Sequence, residues 1–306
     1  MGPGKIVLIG GGGFVGRCLA SRLSACGCRV TVPTRRPESR KSLAVLPGVQ
    51  LLAADIHDAL QLEDLIAGAD AVINLVVILH DSDASAPYGR RFAAAHVALP
   101  ARIVVAMRQA GVRRLLHMSA LRAAADAPSA YLRSKAAGEA VVLAPANGLQ
   151  VTVFRPSVIF GPEDAFLNLF AGLLRVSPFL PLAGANTRFQ PVYVGDVAQA
   201  FLAALTNPDT QGKVFELGGP RVYRLRELVE YVGRLIGQPR PVIALPPLAA
   251  RLQATLLGLL PNPPMSPDNL RSLQVDSVTD GHHDFPGWQP RALESVAPTY
   301  LTSCTT

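Results

Sequence analysis

Tyr131 and Lys135 stand one helical turn apart in the run Tyr131-Leu132-Arg133-Ser134-Lys135. At that spacing both side chains share one face of a helix. An ammonium beside a phenol favours the phenolate and draws its pKa down from about 10. A phenol so tuned can give or take a substrate proton while a hydride moves on or off a nicotinamide. The lysine can also hold the nicotinamide ribose hydroxyls. Such a pair also arises by chance, so its setting decides its value.

That setting begins with Lys5-Ile6-Val7-Leu8-Ile9-Gly10-Gly11-Gly12-Gly13-Phe14-Val15-Gly16. An apolar run of strand length meets glycines, and a helical pattern (Val15, Leu19, Leu23) follows at once. Glycine lets a backbone turn sharply and approach a ligand closely. A helix N-terminus offers unpaired N–H groups and partial positive charge to a pyrophosphate. Gly10, Gly13 and Gly16 fit G-x-x-G-x-x-G, and Gly11, Gly13 and Gly16 fit G-x-G-x-x-G, so the register stays open. Gly10, Gly13, Phe14, Val15 and Gly16 are the first cofactor-binding candidates.

The residue ending the second strand of such a fold meets the adenosine ribose. Here the sequence reads Thr34-Arg35-Arg36, with no acid before Glu38. A guanidinium grips phosphate in a bidentate way. NADP(H) is therefore expected over NAD(H), with solvated surface arginines as the competing reading. Asp55 closes the third strand and can meet the adenine edge or cap a turn. Asn74 at the end of the fourth strand can face the cofactor or serve a turn. Pro156, shortly after the sixth strand, completes the cofactor-binding set.

Strands are expected at Arg29–Val32, Val49–Ala53, Ala71–Val76, Arg114–Met118 and Val151–Phe154, after the first one. Helices are expected at Leu60–Ala67, Phe92–Ala110 (kinked at Pro100) and Tyr131–Leu143. This alternation predicts an α/β fold: a Rossmann doubly wound parallel sheet with a smaller C-terminal substrate or lid domain. Residues 1–155 are assigned to the dinucleotide-binding domain, with 190–205 returning to it, and 156–306 to the smaller domain. The latter should hold a strand at Val214–Leu217, helices at Leu225–Ile236 and Leu248–Leu260, and an irregular tail after Pro261. The Leu248–Leu260 segment is apolar on most faces. Packing inside the second domain is the default, and docking on a membrane surface or a quinone-related partner is the sharper reading.

Of the 306 residues 49% are hydrophobic and 17% charged, which marks a globular chain. The net charge of +7 comes from scattered arginines, with no basic run beyond two residues, and this argues against nucleic-acid binding. Cys18, Cys26, Cys28 and Cys304 form no metal signature and read as small buried hydrophobes in a reducing compartment. No metal is expected: His80-Asp81-Ser82-Asp83 reads as a strand exit, and His282-His283 as exposed tail. Arg155 should tether a domain junction through a carboxylate or carbonyls, and Arg188 should form a surface ion pair or hold a substrate oxygen. With no leader ahead of the first strand and no transmembrane-length run, a cytoplasmic chain is expected, peripheral at the inner face of the membrane if the docking reading holds.

Longer motifs carry a resemblance. They are Tyr131-Leu132-Arg133-Ser134-Lys135-Ala136-Ala137-Gly138-Glu139, then Arg155-Pro156-Ser157-Val158-Ile159-Phe160-Gly161, then Glu163-Asp164-Ala165-Phe166-Leu167-Asn168. Gln190-Pro191-Val192-Tyr193-Val194-Gly195-Asp196-Val197 and Asp268-Asn269-Leu270 continue them. The chain resembles the extended and atypical short-chain dehydrogenase/reductases of the NAD-dependent epimerase/dehydratase type over nearly its whole length. More narrowly it is similar to the NADPH-binding accessory subunit of respiratory complex I and its bacterial relatives. The wider resemblance implies Tyr131 as acid/base, Lys135 as its electrostatic partner and a Ser or Thr after the fifth strand. Ser119 precedes that hydroxyl position and Ala120 occupies it. His96 stands where active relatives often carry Asn. The narrower resemblance implies a structurally held NADPH and a respiratory-complex partner. Two functions follow as expectations. One is an oxidoreductase or epimerase acting on an unknown small oxygenated substrate. The other is a non-catalytic, NADPH-binding structural or redox-sensing subunit.

Overall fold

A computed structural model of the chain describes residues 4–83, 85–258, 260 and 264–302. Met1, Pro261 and Cys304 lie outside the described residues. Seven strands form one parallel sheet: β1 (Lys5–Ile9), β2 (Arg29–Thr34), β3 (Val49–Ala53), β4 (Ala71–Asn74), β5 (Arg114–Met118), β6 (Gln150–Pro156) and β7 (Lys213–Leu217). Their order is β7-β6-β5-β4-β1-β2-β3. The order reverses between β1 and β4, and a crevice opens beyond the carboxyl ends of strands at such a point.

The helices that matter here are α1 (Phe14–Ala25), α2 (Ala59–Ile66), α3 (Leu99–Gln109), α4 (Ala130–Leu143), α5 (Leu167–Val176), α6 (Val194–Thr206), α7 (Leu225–Leu235) and α8 (Pro247–Gly258). Alternate residues of β1 feed opposite faces of the sheet, as the two-residue period of a strand requires. Leu8 packs with Leu19, Leu23, Val197 and Phe201 from α1 and α6. Val7 and Ile9 pack with Leu62, Ile103 and Met107 from α2 and α3. Both faces are covered, so β4 is buried throughout. A separate core joins α5 and α7 through Phe170, Leu174, Leu228 and Val232.

Five features differ from expectation. The stretch 213–217, read with the smaller domain, is the seventh strand of the main sheet. Arg114 explains its placement: its guanidinium holds Gln150 O, Thr152 Oγ1, Ala204 O and Thr210 Oγ1, and so pins the turn before β7 to the sheet. The long helix before β5 is not one α-helix with a kink. Residues 93–98 are π-helical and α3 begins at Leu99. Pro100 has no N–H to offer His96 O, and α4 lays Gly138 directly against that freed carbonyl.

The tail is not irregular either, since Pro267–Ser272, Leu293–Val296 and Pro298–Leu301 are short helices. In α8 Ala250 and Ala254 are buried and Leu257 is half-buried, whereas Leu248, Leu252 and Leu256 are exposed, so packing inside the second domain covers only one face of that helix. Cys26 is exposed, not a buried hydrophobe. No helix among the described residues is long and apolar enough to cross a membrane.

Candidate functional site

The crevice at the switch point is built on the glycine turn. Gly10 has φ +84°, a conformation that favours glycine, and it settles where the turn is made. A β-carbon on Gly16 would lie 2.5 Å from Gly10 O, so Gly16 allows α1 to pack onto the turn. A β-carbon on Gly11 would lie 2.8 Å from Val32 Cγ1, which ties the turn to β2. Gly13 is exposed, caps α1 with no side-chain hydrogen bond, and would bring a β-carbon no nearer than 3.3 Å to Gly10 O. The open mouth of the turn is therefore the start of α1, where Phe14 and Val15 present the first-turn N–H groups. This cradle fits a dinucleotide pyrophosphate by its shape and polarity.

Two guanidiniums flank Gly12. Arg17 Nη1 donates to Gly12 O at 3.1 Å and Arg17 Nη2 to Glu163 at 2.6 Å. Arg40 lies so close that a β-carbon on Gly12 would meet its Nε at 2.9 Å. Sequence reasoning missed Arg40, which sits between a 3-10 turn (Pro37–Ser39) and a short helix (Lys41–Ala44), both too short to show a period. Arg35 and Arg36 are exposed just beyond β2, and Thr34 Oγ1 accepts the Arg36 N–H at 3.3 Å. Asp55 is exposed and accepts the His57 N–H at 3.0 Å, the turn arrangement.

At the other end of the crevice stand Ser119, Tyr131 and Lys135. Ser129 caps α4 by accepting the Leu132 N–H, so the helix begins one residue before Tyr131. Lys135 is 1% exposed and its Nζ donates to Met118 O at 2.6 Å. Burial pulls its pKa down to about 7, opposed by the nearby Glu139 carboxylate. Tyr131 is half-buried between the rings of Phe92 and His96, at centroid distances of 6.1 and 5.7 Å. Burial raises its phenol pKa, the reverse of the lowering that the spacing predicts. The reason is that burial penalises phenolate and ammonium alike, and the ammonium is spent on a carbonyl.

Ser119 Oγ is buried and has no hydrogen-bond partner among the described residues, while Ala120 packs with Ala127 and Leu132. His96 does not face the crevice as a donor. Its Nε2 accepts the Ile78 N–H at 3.1 Å, so Nδ1 carries the proton and donates to Ser134 Oγ at 2.8 Å. Ser134 Oγ donates on to Tyr131 O at 2.7 Å. Burial lowers the His96 pKa, and Lys135 lowers it further, so the ring is a neutral strut beneath α4.

Asn74 is likewise engaged: its Oδ1 accepts the Val76 N–H and its Nδ2 donates to His117 Nδ1, both at 3.2 Å. Pro156 O accepts the Leu121 N–H at 3.0 Å and fixes the loop after β5. Asp268, singled out in sequence only as part of the Asp268-Asn269-Leu270 motif and without a role, accepts the N–H groups of Ala130 and Tyr131.

The remaining candidates lie outside this crevice. Arg155 forms a bidentate pair with Glu139, and Arg188 pairs with Asp276 at 2.7 Å. Asp81 and Asp83 accept N–H groups of residues 90–92, as helix caps. Glu216, Asp280 and His283 gather beside Arg155, whose positive charge opposes a cation there.

A parallel sheet of this order, a glycine turn at its switch point and a Tyr–Lys pair across the crevice define a short-chain dehydrogenase/reductase-type nucleotide binder. The chain belongs to the NAD dependent epimerase/dehydratase family, which it matches over residues 6–218. Within it, the chain is 34% identical over 286 residues to the mitochondrial NADH dehydrogenase (ubiquinone) 1 alpha subcomplex subunit 9 of Arabidopsis thaliana, covering 89% of this chain and 69% of that protein. The Mus musculus protein of the same name is 32% identical over 305 residues, covering 94% and 77%. The fold matches a dTDP-glucose 4,6-dehydratase of Streptomyces venezuelae, solved with NAD bound, at TM-score 0.75 and 19% identity over 97% of this chain and 95% of that one.

Proposed function

We propose that the protein binds NADP(H) in the switch-point crevice and holds it as a structural or redox-sensing ligand. The observation that carries this reading is a contrast within one site. The glycine cradle is complete, whereas Ala120 occupies the position where a hydroxyl would polarise a reacting oxygen. A missing donor of that kind costs about 2–4 kcal/mol of transition-state stabilisation.

In this reading Gly10, Gly13 and Gly16 shape the turn, and the first-turn N–H groups at Phe14 and Val15 receive the pyrophosphate. Arg35 and Arg36 receive a ribose 2′-phosphate, beside Thr34, with Arg40 adding charge over Gly12. Asp55 borders the adenine end. Asn74 and Pro156 shape the crevice floor through the backbone groups that they hold. Tyr131 and Lys135 meet the nicotinamide ribose. When bound, the nicotinamide supplies hydride-transfer chemistry. Tyr131 stays protonated near neutral pH and serves as a hydrogen-bond donor. A ligand held at 100 times its Kd adds about 2.7 kcal/mol to apparent stability.

The dinucleotide-binding part comprises residues 1–155 with 190–205 and, from the sheet order, 213–217. The rest of 156–306 forms the smaller part. The likeness to respiratory NADH dehydrogenase subunits supports a respiratory-complex partner, and a place at the surface of a membrane goes with it.

A second reading, an NADP(H)-dependent oxidoreductase or epimerase, is favoured by the unpartnered Ser119 hydroxyl. The test is direct. The nucleotide retained on purification is identified by mass spectrometry, and its nicotinamide absorbance is followed against carbonyl and alcohol compounds. Retained, unreactive NADPH supports the first reading. Turnover that is lost in Tyr131→Phe supports the second.

A further inference from the structure

Helix α8 is built inside out. Its buried residues are the small Ala250 and Ala254, while Leu248, Leu252, Leu256 and, just beyond the helix, Leu260 are 79%, 62%, 58% and 50% exposed. Leu248, Leu252 and Leu256 recur every four residues of the helix, so they form one stripe along one face. In a globular protein the burial is normally the reverse, and a contiguous exposed apolar face marks a surface used for binding. The stripe extends beyond the helix. Gln253 Nε2 donates to Pro181 O, tying α8 to the strand pair Leu180–Leu182 and Val242–Ala244. Ile243 of that pair is exposed, as are Val176 and Phe179 just before it.

Leucines alone fit a protein partner as well as a lipid. The charges decide. From Tyr231 to Pro267 the sequence has no Asp or Glu, and from Ala165 to Gly195 it has none either. The charged residues in the two stretches are Arg175, Arg188, Arg234, Arg240 and Arg251. Arg251 is exposed on α8 itself, and Arg175 is exposed next to Val176. Arg188 is paired with Asp276, but Arg251 and Arg175 lie exposed beside the apolar residues, in stretches without a carboxylate of their own, and this pattern is complementary to a surface that is apolar below and negative above. We infer that α8 docks the protein onto an anionic lipid surface, with Leu248, Leu252 and Leu256 entering the acyl boundary and Arg251 among the phosphates.

This surface is independent of the crevice, so dinucleotide affinity serves as the control. The full chain is sedimented with phosphatidylcholine vesicles and with vesicles of phosphatidylcholine and phosphatidylglycerol in equal parts. Binding to the anionic vesicles alone, weakened by added salt, is the expected result. The triple variant Leu248→Ser, Leu252→Ser, Leu256→Ser should bind them roughly a hundredfold more weakly. Arg251→Glu, a change at one exposed side chain, should bind several-fold more weakly and keeps the test decisive if the triple variant misfolds. Both should retain wild-type NADPH affinity. Equal binding to neutral vesicles, no binding to either, or wild-type binding by Arg251→Glu and the triple variant would overturn the proposal. So would leucine-dependent self-association without vesicle binding, which would make the stripe an interface between copies.

Discussion

Asp268 Oδ2 accepts the backbone N–H of Tyr131 at 3.0 Å, across 137 residues of sequence. Its other oxygen takes the Ala130 N–H at 2.8 Å. A carboxylate from the C-terminal third thus caps the helix that carries Tyr131 and Lys135. Two first-turn donors are satisfied, and negative charge sits at the positive end of the helix. Asp268→Ala should lower unfolding free energy by about 1–2 kcal/mol, read as a lower denaturant midpoint. Protection of the Ala130 and Tyr131 amides against hydrogen exchange should fall with it.

The three motif glycines should not be equivalent. Gly16→Ala forces a β-carbon against Gly10 O, and Gly10→Ala imposes a strained backbone. Each should weaken NADPH binding by at least about tenfold in calorimetry. Gly13→Ala meets only the gentler contact at 3.3 Å and should weaken it less.

Cofactor choice should rest on Arg35 and Arg36. Replacing both by Ser removes charge-assisted hydrogen bonds worth about 1.5–3 kcal/mol each to a phosphate. NADPH affinity should fall by at least about a hundredfold, with NADH affinity unchanged. Equal losses for both nucleotides would point to a pyrophosphate role instead.

Lys135 should make stability depend on pH. Its folded pKa is lowered by burial to about 7, below its ordinary value of 10.5. Between those values the unfolded chain binds the extra proton, so stability rises as pH rises from about 7 towards 10. Below about 7 this contribution levels off at its most unfavourable. Lys135→Met should flatten that rise in thermal melts of the nucleotide-free protein, and should leave the variant more stable than wild type near pH 7.

The sheet was legible because β1 and β4 each hold a short apolar run, at 6–9 and 71–73, which strands covered on both faces need. The glycine turn was legible because it lies between such a run and a helical period. Arg40 was not legible, because its place over Gly12 depends on how the segment between β2 and β3 folds back. Nor was the fate of the Tyr131 phenol. Its spacing from Lys135 is local, whereas the burial that governs both groups comes from Phe92, His96 and the end of β5. Helix α8 was apolar in sequence, and apolar residues alone do not say which face lies inward. The short helix at Pro267–Ser272 is set by the capping exchange between Ser266 and Asn269, a signal too local to place Asp268 beneath Tyr131.

The central claim is that NADPH is held without being consumed. The most direct measurement compares wild type with Tyr131→Phe for NADPH affinity and for oxidation of the bound nucleotide during incubation with carbonyl compounds. The expected result is NADPH affinities within about tenfold of each other, since a single neutral hydrogen bond contributes about 0.5–1.5 kcal/mol net, and nucleotide that remains reduced in both proteins. Accumulation of NADP⁺ in wild type that is abolished in Tyr131→Phe would contradict it.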